Sequence, residues 1–189
     1  MKKHHYLFKI FAAFSLIAAS SVVSNAQNPF GEVYSLPTGE ADTDEYFAAT
    51  GVAYGEVKLM GELQIVALTN AQDIVRQKMK HAYKGMILTY ANTVSADSGT
   101  RMFTNMERGG GHVIDAIVND TNATGAPKFS AVDDDGNVYC YIGVRVSKRE
   151  VIDKIARYMS EDEELKNHFK EEQFRNSMER TFREYRENN

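Results

Sequence analysis

Val138-Tyr-Cys-Tyr-Ile-Gly-Val-Arg-Val146 alternates without a break. Val138, Cys140, Ile142, Val144 and Val146 share one face of a strand, and Tyr139, Tyr141 and Arg145 share the other. Cys140 is the chain's lone cysteine, so no intramolecular disulfide can form. On that apolar face it reads as a small buried hydrophobe rather than a nucleophile. Upstream, Lys128 to Val132 followed by Asp133-Asp-Asp-Gly-Asn137 predicts a β-hairpin ending in this strand. Downstream the character changes. Residues 148–187 hold ten basic and eleven acidic side chains and neither proline nor glycine, a helical composition. Ser147-Lys-Arg-Glu150 and Ser160-Glu-Asp-Glu163 each fit a capping box, predicting two helices with a break near Ser160. Acid-before-base pairs four residues apart, such as Glu150/Lys154 and Glu171/Arg175, each add a few tenths of a kcal/mol.

Working further towards the N-terminus, Tyr46 to Gly55 (YFAATGVAYG) predicts a strand of small residues. Gly51 and Gly55 point to a close backbone approach or a bulge. Val57 to Tyr83 predicts a long helix, with Leu59, Leu63, Val66, Ala67, Ala71, Ile74 and Met79 on a broad apolar face. Asn70, within that stretch, is expected to be buried with a partner. Lys84 to Val94 reads as a second strand, with Met86, Leu88 and Tyr90 on one face. Arg101 to Glu107 and His112 to Val118 read as two short helices separated by Gly109-Gly110-Gly111. The order of elements gives an α+β fold: a small, largely antiparallel sheet with helices packed on one face, plus a charged C-terminal helix. The expected divisions are a leader (1–26), an extended arm (27–45), the α+β domain (46–160) and a C-terminal amphipathic helix (161–189).

The leader is the strongest functional signal. A basic head, Met1 to Lys9, precedes an apolar run of 14 residues from Ile10 to Val23, and Ser24-Asn-Ala26 supplies small residues for a cut between Ala26 and Gln27. The run is short for a membrane span and holds three serines. Export to a periplasm or beyond follows, without lipid, because no cysteine sits at the cut. Without the leader's three lysines, 19 basic residues face 26 acidic ones across 163 residues, a net charge of −7. Such a globule repels nucleic acid over most of its surface.

No motif announces a reaction. Gly109-Gly110-Gly111 before His112 lacks the phosphate-loop spacing and reads as a hinge. Asp133 to Asn137 lacks the downstream glutamate of a calcium loop and reads as a polar turn. His81, His112 and His168 show no metal-ligand spacing, so neither a metal nor another cofactor is expected. A Cys140–His112 nucleophile pair is formally available, as are paired carboxylates for glycoside hydrolysis, but no tryptophan is present to stack a sugar. Arg76, Lys78, Lys80, His81 and Lys84 make a basic cluster at the end of the long helix. It either complements the helix dipole or docks on an anionic envelope surface such as lipid phosphate. Phe169, Phe174 and Phe182 lie along one stripe. They either pack on the sheet or form a partner or homodimer surface.

Ala48-Ala-Thr-Gly-Val-Ala-Tyr-Gly55, then Ala67-Leu-Thr-Asn-Ala-Gln-Asp-Ile-Val-Arg-Gln-Lys78, resembles the bacterial twenty-kilodalton lipoprotein family of small envelope proteins. The strand from Asn137 to Val146 running into Ser147-Lys-Arg-Glu150 is similar to that family's closing strand and helix. The chain also looks like uncharacterised secreted proteins of Gram-negative gut bacteria. The resemblance implies a compact, non-enzymatic α+β envelope domain and supplies no catalytic residues. The chain departs from it in lacking the acylated cysteine and in adding the charged helix beyond Ser160. The expectation is an exported, non-enzymatic binding or scaffold module whose partner is another envelope protein or an anionic surface. A lipid- or metabolite-binding protein, with its pocket between sheet and long helix, is the alternative; an uncatalogued envelope hydrolase is a further one.

Overall fold

Small residues decide where the first strand and the long helix meet. The computed structural model describes residues 41–94, 99–167 and 169–187; the leader, its cut at Ala26–Gln27 and residues 27–40 of the arm lie outside them. Strand β1 spans Tyr46–Glu56 and passes through a short 3₁₀ turn (Val57–Leu59) into helix α1, Met60–Val94. Ala49, Gly51, Ala53 and Gly55 line the inner side of β1, facing Leu63, Ala67 and Ala71 of α1. A methyl group on Gly51 would lie 1.9 Å from the Ala67 carbonyl oxygen and 2.4 Å from the Ala71 nitrogen. The expected close approach is therefore helix backbone on strand backbone. Val66 and Ile74 of the expected apolar face stay outside the covered stripe, each a little under half exposed.

The remaining elements are α2 (Gly99–Asn119), β2 (Lys128–Phe129), β3 (Asn137–Ser147), α3 (Lys148–Glu161) and α4 (Glu171–Glu187). The sheet is antiparallel in the order β1-β3-β2. β1 and β3 pair along their whole length, from Tyr46 opposite Ser147 to Glu56 opposite Asn137. Phe47, Ala49 and Ala53 of β1 and Val138, Cys140, Ile142, Val144 and Val146 of β3 enter the core, as the alternation requires. The helices gather on that side, and the α+β architecture stands.

Three local expectations are overturned. Residues 84–94 continue α1 instead of forming a strand. Tyr83, Met86, Ile87 and Tyr90 are all buried at helical spacing, whereas Leu88, placed with Met86 by a strand period, is about half exposed. The short apolar run Met86-Ile87-Leu88 fits both periods, and the face already established upstream wins. The glycine triplet breaks nothing either, because α2 runs through it. Gly110 lies under the Tyr83 ring and Gly109 under the Tyr158 ring, where an added methyl would come within 2.2 Å of each ring. The triplet is a packing notch, and the Tyr83 hydroxyl donates across it to the Met106 carbonyl at 2.6 Å. Finally, Ser160 caps no helix. Its hydroxyl donates to the Ala156 carbonyl inside α3, and Asp162 takes the turn by accepting from the Glu164 and Leu165 amides. Ser147 does cap α3, accepting from the Glu150 amide.

The C-terminal helix belongs to the same core as the rest. Phe174, Met178 and Phe182 are buried at successive four-residue steps, and the Phe182 ring meets Phe47 of β1 edge-on at 4.8 Å. Tyr90 of α1 holds the start of α4, its hydroxyl accepting from the Lys170 amide at 2.9 Å. Lys148 holds the other end. It is 3% exposed, donates to the Phe182 carbonyl at 2.7 Å and lies 4.9 Å from the Phe47 ring centre. A cation near a helix C-terminus and over an aromatic face is favoured on both counts.

Candidate functional site

The inward residues of β1 and β3 are spent on the core, so the chain's accessible chemistry on the sheet is on the outward ones. Tyr46, Thr50, Val52 and Tyr54 of β1 alternate outward opposite Ser147, Gly143, Tyr141 and Tyr139 of β3, with Arg145 opposite Ala48. Lys128 of β2 pairs with Tyr141. No outward residue of β1 or β3 belongs to either core cluster. Val52 is 39% exposed and Tyr54 49%. Tyr54 and Tyr139 meet across the strands with ring centres 4.6 Å apart, and Tyr139 and Tyr141 follow at 6.2 Å with planes 24° apart. The Arg145 guanidinium lies 6.0 Å from the Tyr46 ring centre. Cross-strand aromatic pairs stabilise a sheet by up to about 1 kcal/mol each. They also present phenol hydroxyls and two cations, Lys128 and Arg145, on one surface. That set can stack and hydrogen-bond a ligand.

Asp133 closes one end of this face. It accepts from the Tyr54 hydroxyl at 2.7 Å and from the Asp135 and Asn137 amides. The Tyr54 hydrogen bond holds the Asp133 carboxyl below its usual range, and the same bond raises Tyr54. Burial raises the Tyr141 phenol, and neighbouring Tyr139 adds to it. Gly136 supplies the positive φ of +81° that the turn needs. The aspartate run thus works as a turn, its first carboxylate already engaged by amides and a phenol.

The residues singled out by sequence are dispersed. Arg76, Lys80 and Lys84 face α2, where Arg76 pairs with Asp115 and with Asp73 of its own helix, Lys80 with Asp115, and Lys84 with Glu107. Lys78 points to the other side, to Asp42 at 3.1 Å and the Ala48 carbonyl at 2.8 Å. The helix-dipole reading of the cluster does not survive this geometry. α1 continues to Val94, so the cations sit at mid-helix, where no dipole end awaits them. Lys78 stands apart from the other three, and each of the four meets a carboxylate of the chain. Asn70 is exposed, yet it has the expected partner, donating to the Val52 carbonyl at 2.8 Å. Phe174 and Phe182 are covered by the chain itself and Phe169 is partly so, the packing alternative for the stripe. Cys140 is fully buried and burial raises its thiol, so it makes no pair with the exposed His112.

Around Gly51 the backbone of α1 lies directly on β1, which leaves no room between sheet and helix at that point. A cleft of about 830 Å³ lies instead where the ends of β1 and β3 meet α3 and α4. Lys148, Arg149, Arg175 and Arg183 line it together with Asp44, Glu45, Asp153 and Glu179, a balance that favours neither sign of ligand charge. Among the described residues no three His, Cys, Asp or Glu converge as a metal site, and no helix is long and apolar enough to cross a membrane.

Sequence reasoning put Tyr139, Tyr141 and Arg145 on the free side of their strand but missed Tyr46 and Tyr54 as their neighbours. The even-numbered positions of YFAATGVAYG carried that signal. No family model, no curated protein and no solved structure matches the chain.

Proposed function

We propose that this chain is an exported, non-enzymatic module of the cell envelope that binds another envelope component through the outward face of its sheet. The observation that carries the reading is the row of Tyr54, Tyr139 and Tyr141, with Lys128 and Arg145, on the side opposite the helices. The leader ahead of Gln27 and the resemblance of residues 48–78 to small envelope proteins support the compartment. Aromatic residues and arginine are the types enriched where protein surfaces meet. Immobilised residues 27–189 and a Tyr139→Ser/Tyr141→Ser/Arg145→Ser variant, each exposed to solubilised envelope, test it. The reading predicts a component retained by the first and lost by the second, with thermal unfolding little changed. Equal retention by both, or none by either, contradicts it.

The cleft beside α3 and α4 favours a second reading, a small-ligand binder, since its volume is that of a typical ligand site. A thermal-shift screen of lipids and metabolites on the parent and on Arg183→Glu tests that reading.

A further inference from the structure

The sequence holds two Asn-x-Thr triplets, Asn119-Asp120-Thr121 and Asn122-Ala123-Thr124. Such a triplet in an exported chain accepts an N-linked glycan when its amide and hydroxyl are both accessible. The structure separates the two. Asn119 is the last residue of α2, and its side-chain oxygen accepts from Arg76 at 2.9 Å. The Thr121 hydroxyl donates to the Ile117 carbonyl at 2.8 Å. The hydroxyl of the first triplet is therefore engaged, and its asparagine is held at the end of a helix by its side-chain oxygen. The second triplet lies beyond the helix, in the connection that runs along the free edge of β3. There Ala123 bridges to Val144 and the Thr124 amide donates to the Gly143 carbonyl at 2.8 Å. Ala123 packs against the core, so its neighbours on an extended chain turn the other way together. Asn122 and Thr124 are indeed both exposed, and no hydrogen bond among the described residues engages either side chain. Asp120, two residues ahead of Asn122, completes the acid-led Asp-x-Asn-x-Thr form of the motif, which the Asn119 triplet lacks.

We infer that Asn122 is an N-glycan acceptor, with Thr124 as the hydroxyl that an oligosaccharide transferase reads. The donor class is a lipid-diphosphate-linked oligosaccharide. The Asn122 amide nitrogen bonds to the anomeric carbon as the bond from that carbon to the diphosphate breaks. The lipid diphosphate leaves with the electron pair, and the amide gives up one proton.

The inference rests on the proposed export, and one digest reads both. The protein is isolated from the cells that make it and cleaved with trypsin, and the peptides carrying Gln27 and residues 109–128 are fragmented in a mass spectrometer. A sugar mass on Asn122, retained in Asn119→Gln and Thr124→Ser and lost in Asn122→Gln and Thr124→Val, is the expected result. An unmodified 109–128 peptide from chains beginning at Gln27 overturns the glycan and leaves export standing. The same peptide from chains that keep residues 1–26 overturns both.

Discussion

A methyl group at position 51 has nowhere to go. The Ala67 carbonyl stands 1.9 Å from where it would sit, and the obstacle is helix backbone, which cannot swing aside. At position 111 the same methyl meets nothing within 4 Å. Gly51→Ala is therefore expected to lose about 3 kcal/mol or more in urea unfolding, at or beyond the upper end for overpacked cores. Gly111→Ala is expected to gain up to about 1 kcal/mol, the helix-propensity difference. Equal effects at the two sites would show that α1 does not touch β1 as described. Cys140 makes a second test at this scale. Iodoacetamide is expected to leave the native thiol unmodified and to label it once urea unfolds the chain. Rapid native labelling would place β3 with its faces reversed.

Among the elements, signals carried by neighbouring residues were legible and those that depend on distant partners were not. β3 could be read residue by residue because one side is core and the other is not, which a period of two records faithfully. The hairpin turn and the Ser147 cap were legible because each depends on neighbouring residues alone. Residues 84–94 and the glycine triplet were misread for one reason: their partners are distant in sequence. Gly110 makes sense only under Tyr83, and Tyr90 only beside Lys170. The candidate site was half legible for the same reason, since the pairing of Tyr54 with Tyr139 depends on register and not on either strand alone. α4 depends in the same way on its companions, and they on it. A chain ending at Ser160 loses Phe174, Met178 and Phe182, each worth roughly 2–5 kcal/mol when cut back to alanine in a core. Together that is about 6–15 kcal/mol, the size of the whole margin of an ordinary domain, about 5–15 kcal/mol. The shortened chain is expected to show no cooperative thermal transition. A sharp one near the full-length temperature would make α4 an appendage.

Across the whole molecule, the phenols set an alkaline limit. Burial raises Tyr83 well above the ordinary value and raises Tyr90 and Tyr185 as well. In the unfolded chain tyrosines ionise near pH 10. Below that pH the folded state keeps the full benefit of its neutral phenols. As pH rises further, the unfolded chain gives up protons that the folded one retains, and stability falls. Phenolate absorbance is expected to lag an unfolded reference and then to rise together with loss of helical circular dichroism. Ionisation of all ten tyrosines at the reference pH with the helices intact would contradict the burial of Tyr83 and Tyr90.

The same view of the molecule puts its contact surface on the side that the helices leave open. A photo-reactive phenylalanine placed at Val52, on that face, or at Arg157, on the solvent side of α3, reads this in the cells that make the protein. The account predicts a discrete cross-linked adduct from position 52 and none from position 157. An adduct from 157 alone, or none from 52, would contradict it.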